Sequence, residues 1–231
     1  QVQRGVDKAA GLTRQLLAFS RQQVLQPVPL DLNAVIAGML QMMRRMIDVS
    51  ITIDFIPKGT PVGIHADRGQ VEQIFMNLCV NSRDAIAGTG TITVKTECRD
   101  LDAAFCEDHP DAKPGKYGAL IVSDTGQGMA PEILDRIFEP FFTTKEVGQG
   151  TGLGLASIYG IVRQHGGLML VESEPGHGTT FTVLLPSSAK EVSPPEKAPR
   201  PKVKGGNETI LLAEDNEDVR NLAERVLNKG G

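Results

Sequence analysis

Tryptophan is absent from the 231 residues, tyrosine occurs twice, and aromatics make up 4% of the chain. Any core must therefore be built from aliphatic side chains, and the 40% hydrophobic content is enough to build one over most of the length. Cysteine is also scarce. Cys79, Cys98 and Cys106 are odd in number and lack C-x-x-C spacing, which argues against a disulfide framework or a zinc site and fits reduced thiols in a cytoplasmic setting. There is no apolar run near the ~18 residues that a membrane-spanning helix needs. Basic charge is not in excess: the formal net charge is −4, without the concentrated basic surface of a general nucleic-acid binder. The chain has no initiating Met or signal-like leader. It opens in a helical pattern and closes within a domain-like one, so it is expected to be a fragment of a longer protein.

Four regions follow from composition and periodicity. Over residues 2–23, Val2, Val6, Ala9, Leu12, Leu16 and Phe19 form one apolar stripe of a helix, which needs a partner helix or a dimer mate to cover it. Gln26-Pro27-Val28-Pro29 ends that helix. Residues 30–186 alternate between helical and extended patterns. Helices are expected over 32–47 (Asp31 as N-cap), 67–87 and 153–164, and strands over 50–56, 91–96, 117–123, 168–172 and 180–185. The last two strands flank the turn Glu174-Pro175-Gly176-His177-Gly178. The pattern predicts an α/β domain, an α+β two-layer sandwich with a mixed sheet covered by helices. Pro194, Pro195, Pro199 and Pro201 mark an extended linker, and 208–229 reads as a strand (209–213), an acidic turn and a helix from about Glu217.

Three segments point to chemistry. On the helix at 67–87, Val71, Ile74, Phe75, Leu78, Ala85 and Ile86 gather on one side, and Gln73, Asn77, Asn81 and Asp84 on the other. A solvated face is usually made of Lys and Glu, because Asn and Asp are poor helix formers. A row of short amides and a carboxylate suits the wall of a pocket that holds a hard cation or water. Next, Asp124-Thr125-Gly126-Gln127-Gly128 follows a strand, leaving a carboxylate at the strand end where it could accept an exocyclic amine hydrogen bond. A plain Asp-Gly turn would look the same. Finally, Gly148-Gln149-Gly150-Thr151-Gly152-Leu153-Gly154-Leu155 runs directly into a helix. This composition can cradle phosphates on bare N–H groups and the positive helix end, yet it matches neither the P-loop nor the G-x-G-x-x-G fingerprint. Between these segments, Phe138-Glu139-Pro140-Phe141-Phe142 holds three of the eight phenylalanines. It is either a hydrophobic anchor for a long loop or a lid that packs over bound nucleotide, with Lys145 available for a phosphate.

In order, these segments resemble the nucleotide-binding boxes of the histidine kinase, gyrase, chaperone and mismatch-repair ATPase superfamily, and specifically those of hybrid sensor histidine kinases. Asn77-Leu78-Cys79-Val80-Asn81 is similar to the N box, Asp124-x-Gly126-x-Gly128 to the first glycine box and Phe138 to Phe142 to the F box. Gly150-Thr151-Gly152-Leu153-Gly154-Leu155 is similar to the second glycine box, and Gly176-x-Gly178-Thr179 to the closing glycine-threonine element. The resemblance implies ATP and Mg2+. Asn81 would ligate the metal, Asp124 would read the adenine amine, Thr179 would support Asp124, and the glycines would frame the phosphates. Asp84 would belong to the same nucleotide site.

Hydrolytic members of the superfamily carry Glu where this chain has Asn77. An amide cannot take a proton at neutral pH, so water is left unactivated, as a kinase requires. A lid arginine common in histidine kinases is replaced by Thr143-Thr144-Lys145, which makes Lys145 the expected γ-phosphate partner. Residues 1–26 resemble the second helix of a dimerisation and histidine-phosphotransfer hairpin, 27–187 the catalytic ATP-binding domain, 188–206 a Pro/Lys-rich linker, and 207–231 the start of a receiver domain with the acidic pair Glu214-Asp215. The implied partners are a histidine-bearing helix of the same protein and a receiver domain or response regulator. The parent would be a homodimer, either membrane-anchored or soluble, with no nucleic-acid role. None of His65, His109, His165 and His177 is expected to accept phosphate, and His165 is expected to sit at a helix C-terminus, favoured by the dipole. The competing readings are a gyrase- or chaperone-type ATPase and a nucleotide-binding scaffold without kinase activity.

Overall fold

The computed structural model describes residues 25–145 and 150–188, together with 211–213, 217, 220, 221, 223, 224 and 227 near the C-terminus. The helix expected at 2–23, the linker beyond Ser188, Gly148 and the acidic pair Glu214-Asp215 lie outside the described residues. The chain divides into two compact units, residues 1–192 and 193–231. In the second, the described residues from Glu217 to Leu227 are helical, as expected. Leu211, Leu212 and Ala213, expected in a strand, carry no strand pairing. A lone strand has no ladder of its own to complete, so its backbone stays unpaired unless neighbours supply one.

The first unit contains β1 (Val28–Asp31), α1 (Leu32–Met46), β2 (Ile51–Ile56), β3 (Gly63–Ala66), α2 (Arg68–Ala85) and β4 (Gly90–Leu101). After these come α3 (Ala103–Asp108), β5 (Gly115–Asp124), α4 (Pro131–Leu134), α5 (Gly154–Gln164), β6 (Leu168–Glu174) and β7 (Gly178–Pro186). Five strands form a sheet in the order β2-β4-β5-β7-β6. The β2–β4 pair is parallel and the other pairs are antiparallel, which makes the sheet mixed as expected.

The amphipathic period of each helix decides what it covers. Leu32, Val35, Ile36, Met39, Leu40 and Met43 of α1 are buried at steps of three and four. They join Val71, Ile74, Phe75 and Leu78 of α2 and Ile158 and Val162 of α5 over one face of the sheet, where Ile92, Val94, Leu120, Val122, Phe181 and Val183 point inward. Each such side chain contributes about 1.5–3 kcal/mol on full burial. Cys79 lies in this layer, and burial pushes its thiol up to about 12, so it stays protonated and behaves as a core residue.

Several elements fall outside the sequence expectation. The short ladder β1–β3 contains Pro29, paired with His65, and has too few residues to alternate. α3 supplies Phe105 and Cys106 to a smaller cluster on the opposite sheet face, with Tyr117, Ala119, Leu168 and Leu184. β4 runs past its expected end at 96 through Glu97, Cys98, Arg99 and Asp100, because pairing with β5 continues to Leu101 opposite Gly115.

The cap expected at Asp31 is present, and Asp67, expected inside its helix, is the N-cap of α2. Asp31 accepts from the Asn33 amide at 3.1 Å, and Asp67 accepts from the Gln70 amide at 3.1 Å. Asp67 also shows why one buried atom is orphaned. In a capping box the Gln70 side chain would take the Asp67 N–H. That N–H instead donates to His165 Nε2 at 3.0 Å, while His165 Nδ1 contacts the Ile161 carbonyl at 2.9 Å. Gln70 Oε1 is left buried with no partner among the described residues. His165 therefore serves as a hydrogen-bonded bridge from the end of α5 to the start of α2, a role that goes beyond the expected dipole contact. Among the described residues no helix is long and apolar enough to cross a membrane.

Candidate nucleotide site

The polar row of α2 opens onto a cavity of about 410 Å3. Gln73, Asn77, Asn81 and Asp84, at helical steps of four, four and three, all line it. The Asn81 amide nitrogen is buried and has no hydrogen-bond partner among the described residues. Leaving such a group unpaired costs about 1–3 kcal/mol, a cost that a ligand in the cavity would relieve.

Facing this row is the end of β5. The antiparallel register of β5 and β7 sets Asp124 opposite Thr179, so sheet pairing alone brings the two together. Asp124 is 7% exposed. Its Oδ1 accepts from the Gly126 amide at 2.9 Å and the Thr179 amide at 3.2 Å, and its Oδ2 accepts from the Ser82 hydroxyl at 2.9 Å. Burial pushes the Asp124 carboxyl above the ordinary carboxylate range, although all three hydrogen bonds oppose the shift. Behind it, the Ser173 hydroxyl lies 2.9 Å from each of the Gly178 carbonyl, the Thr179 hydroxyl and the Met129 amide. It ties the first glycine segment to the β6–β7 turn.

The third side is the start of α5. Leu153 caps the helix without a side-chain hydrogen bond. Gly150, Thr151, Gly152, Leu153 and Gly154 line the cavity there. Uncapped N–H groups and the positive end of the helix favour an anion at this position. Gly152 has φ +63, and a Cβ there would stand 2.3 Å from the Phe141 carbonyl carbon. Only glycine allows this approach, and the Phe141 amide uses it to donate to the Gly152 carbonyl at 2.9 Å. Phe138 packs on Tyr159 of α5 with ring centroids 5.0 Å apart, and the Arg136 guanidinium lies 4.3 Å above the Phe142 ring. The phenylalanine segment is thereby anchored to the glycine segment that follows it.

Lys145 reaches the same cavity, but its ammonium is held by Asp84 at 2.5 Å, and Asp84 also meets Arg83 at 2.6 Å. Burial alone would raise the Asp84 carboxyl. The hydrogen bonds and charges of Lys145 and Arg83 outweigh it and hold the carboxyl below its ordinary range.

Of the residues expected to form the site, Asn77, Asn81, Asp84, Asp124, Gly128, Lys145, Gly150, Thr151, Gly152, Leu153, Gly154 and Thr179 line one cavity. Gly126 does not line it. It packs beneath, where a Cβ would stand 2.7 Å from the Ala85 carbonyl oxygen, and its amide serves Asp124. Ala85, expected on the apolar side of its helix, lies at the cavity wall. Sequence reasoning missed the apolar walls formed by Val80, Met129, Ile133, Ile137, Leu155 and Phe181. It also missed Ser82 and Ser173. For Ser82 a signal existed: a serine on the stripe of Val71, Phe75, Leu78 and Cys79 must find a partner when buried.

Apolar walls with one buried acceptor suit a flat base that carries an amine, and the α5 end suits its phosphates. Among the described residues no group of three or more His, Cys, Asp or Glu could hold a metal ion unaided. A divalent cation fits here only if it arrives on phosphate oxygens, with the Asn81 amide oxygen adding one protein ligand and the unpaired amide nitrogen free to donate to a phosphate oxygen.

The family described as "Histidine kinase-, DNA gyrase B-, and HSP90-like ATPase" matches residues 66–189, more than half of the chain. The sensor kinase CckA of Brucella abortus (strain 2308) is 42% identical over 242 aligned positions, covering all of this chain and 25% of the relative. The sensor histidine kinase ZraS of Klebsiella oxytoca is 35% identical over 190 positions, covering 81% of this chain and 37% of the relative. The chain thus spans about a quarter to two fifths of these relatives' lengths. In fold it is similar to the catalytic domain of the histidine kinase ThkA, with a TM-score of 0.54 and 26% identity over 70% of this chain and 96% of that one. With the cavity, the ordered motifs and these likenesses in agreement, the chain belongs to the histidine kinase, DNA gyrase B and HSP90-like ATPase family, and carries a catalytic ATP-binding domain of the sensor histidine kinase type.

Proposed function

We propose that this chain transfers the γ-phosphoryl group of Mg2+-bound ATP to a histidine on a helix outside the 231 residues, for relay to an aspartate of a receiver domain or response regulator. The convergence of the unpaired Asn81 amide nitrogen, a donor that a phosphate oxygen would satisfy, the buried Asp124 carboxylate and the open start of α5 on one cavity carries this reading. Asp124 would accept the adenine amine, with Thr179 behind it. The N–H groups at Gly152 and Gly154 would hold phosphate oxygens, and the Asn81 amide oxygen would complete the shell of Mg2+, which when bound neutralises phosphate charge and fixes its geometry. Lys145 would leave Asp84 for the γ-phosphate. Asn77 would orient and exclude water without activating it, which favours transfer over hydrolysis and disfavours the gyrase-type reading.

Residues 1–26 would serve as the second helix of a dimerisation hairpin, 27–187 as the catalytic domain, 188–206 as a linker and 207–231 as the opening of a receiver. Incubated with Mg2+ and γ-labelled ATP, the 231-residue chain is expected to show no label on His65, His109, His165 or His177. A longer chain that includes the preceding hairpin is expected to be labelled there. Label on any of the four histidines would show that the acceptor has been misplaced. Steady hydrolysis with no histidine substrate would favour a gyrase-type ATPase, and nucleotide binding without either reaction a scaffold.

A further inference from the structure

We infer that Ser82 is a positioning residue for base recognition: its hydroxyl fixes Asp124 as a pure acceptor and so sets the preference for a purine with an amine, rather than a carbonyl, at position 6. The inference rests on the adenine-nucleotide reading above and assigns that reading's selectivity to a residue outside the motifs.

Ser82 is 1% exposed and belongs to the apolar stripe of α2, one residue past Asn81. A hydroxyl in that environment is costly unless it is bonded, and its bond is to Asp124 Oδ2 at 2.9 Å across 42 residues of sequence. The other two contacts to Asp124 are also donors, the amides of Gly126 and Thr179, and both go to Oδ1. A carboxylate has about four acceptor positions and no proton to give. With three positions taken by protein donors, the remaining one must be filled by a donor. An exocyclic amine fits, whereas a carbonyl oxygen at the same place meets repulsion.

Ser82 is the only side-chain donor of the three, so a single substitution removes it while the backbone donors remain. Without it, Oδ2 loses its protein partner, and the burial that already raises this carboxyl goes less opposed. A larger share of the population is then protonated. A protonated Asp124 carries an O–H that can donate to a carbonyl, so discrimination between the two purines relaxes.

The test is calorimetric titration of the full 231-residue chain and its Ser82→Ala variant with Mg2+-bound non-hydrolysable adenosine and inosine triphosphate analogues, across pH, with melting temperatures as a check on folding. The variant is expected to bind the adenosine analogue about tenfold more weakly, the loss of one hydrogen bond to a charged group. It is also expected to show a smaller adenosine-to-inosine ratio and to lose binding at a higher pH than the parent as acid is added. A variant with the parent's affinity, ratio and pH midpoint would overturn the role of Ser82 and leave the nucleotide reading intact. Weaker binding with an unmoved ratio and midpoint would also overturn it, because that result describes a packing defect. Failure of the parent to bind either analogue would defeat both.

Discussion

The Asp124→Asn variant is expected to melt no lower than the parent at neutral pH, yet to bind adenine nucleotide roughly ten- to a hundredfold more weakly. The two halves of this result have separate causes. The substituted amide keeps an oxygen for the Gly126 and Thr179 N–H groups, and its NH2 can donate to the Ser82 hydroxyl, which turns to accept. The substitution therefore preserves the local network while removing a buried charge. Because the folded-state value of the Asp124 carboxyl lies above its unfolded one, the folded protein holds the proton more tightly. The stability linked to this group is greatest in acid, below the unfolded value, and is lost as pH rises through the raised folded one. A neutral amide avoids that loss. Binding suffers because the exocyclic amine of adenine would meet a second donor in place of an acceptor. Thermal melting across pH and titration with nucleotide separate the two effects. A variant that melts well below the parent at neutral pH would show that the charge is stabilising, contrary to this expectation.

A second large effect is expected at the β6–β7 turn. Gly176 and Gly178 have nearly the same backbone, φ +83 and +84, but different surroundings. A Cβ at Gly176 meets nothing within 4 Å, whereas one at Gly178 would stand 1.9 Å from the Asp124 carbonyl oxygen. Gly176→Ala should cost only the left-handed strain, about 1 kcal/mol. Gly178→Ala adds a collision with backbone that cannot rotate away, for a total of about 3 kcal/mol or more. The strands would have to part where Asp124 and Thr179 face each other, so nucleotide affinity should fall with stability in Gly178→Ala and hold in Gly176→Ala. Urea unfolding of both variants checks the difference, and equal losses would contradict the register argument.

What could be read from the sequence was local or periodic. The Gln73, Asn77, Asn81 and Asp84 row was legible because helical spacing turns a linear pattern into a face, and amides are an expensive choice for a solvated one. Asp124 was legible because a carboxylate followed by glycines at a strand end is a recognisable local shape. The mixed sheet and its helix layer followed from alternating periods. What escaped depends on contacts between distant residues. The bond between Ser82 and Asp124 spans 42 residues, and that between the Asp67 amide and His165 spans 98. The pairing of Lys145 with Asp84 spans 61 and gives the expected phosphate partner a protein counter-ion. That Gly126 lies beneath the cavity and not in its wall escaped too, because sequence shows that a glycine permits close approach, not which neighbour approaches. Here the neighbour is the Ala85 carbonyl. The β1–β3 ladder escaped because a four-residue strand has too little alternation to stand out.

Metal-dependent nucleotide binding through Asn81 can be examined by calorimetric titration of the chain and of Asn81→Ala with a non-hydrolysable ATP analogue, with and without Mg2+. Association with the parent is expected to strengthen when Mg2+ is added, and the affinity of Asn81→Ala is expected to be the same whether Mg2+ is present or not. No heat of association with the parent, or an undiminished Mg2+ effect in the variant, would contradict the assignment of this cavity to a metal-bound adenine nucleotide.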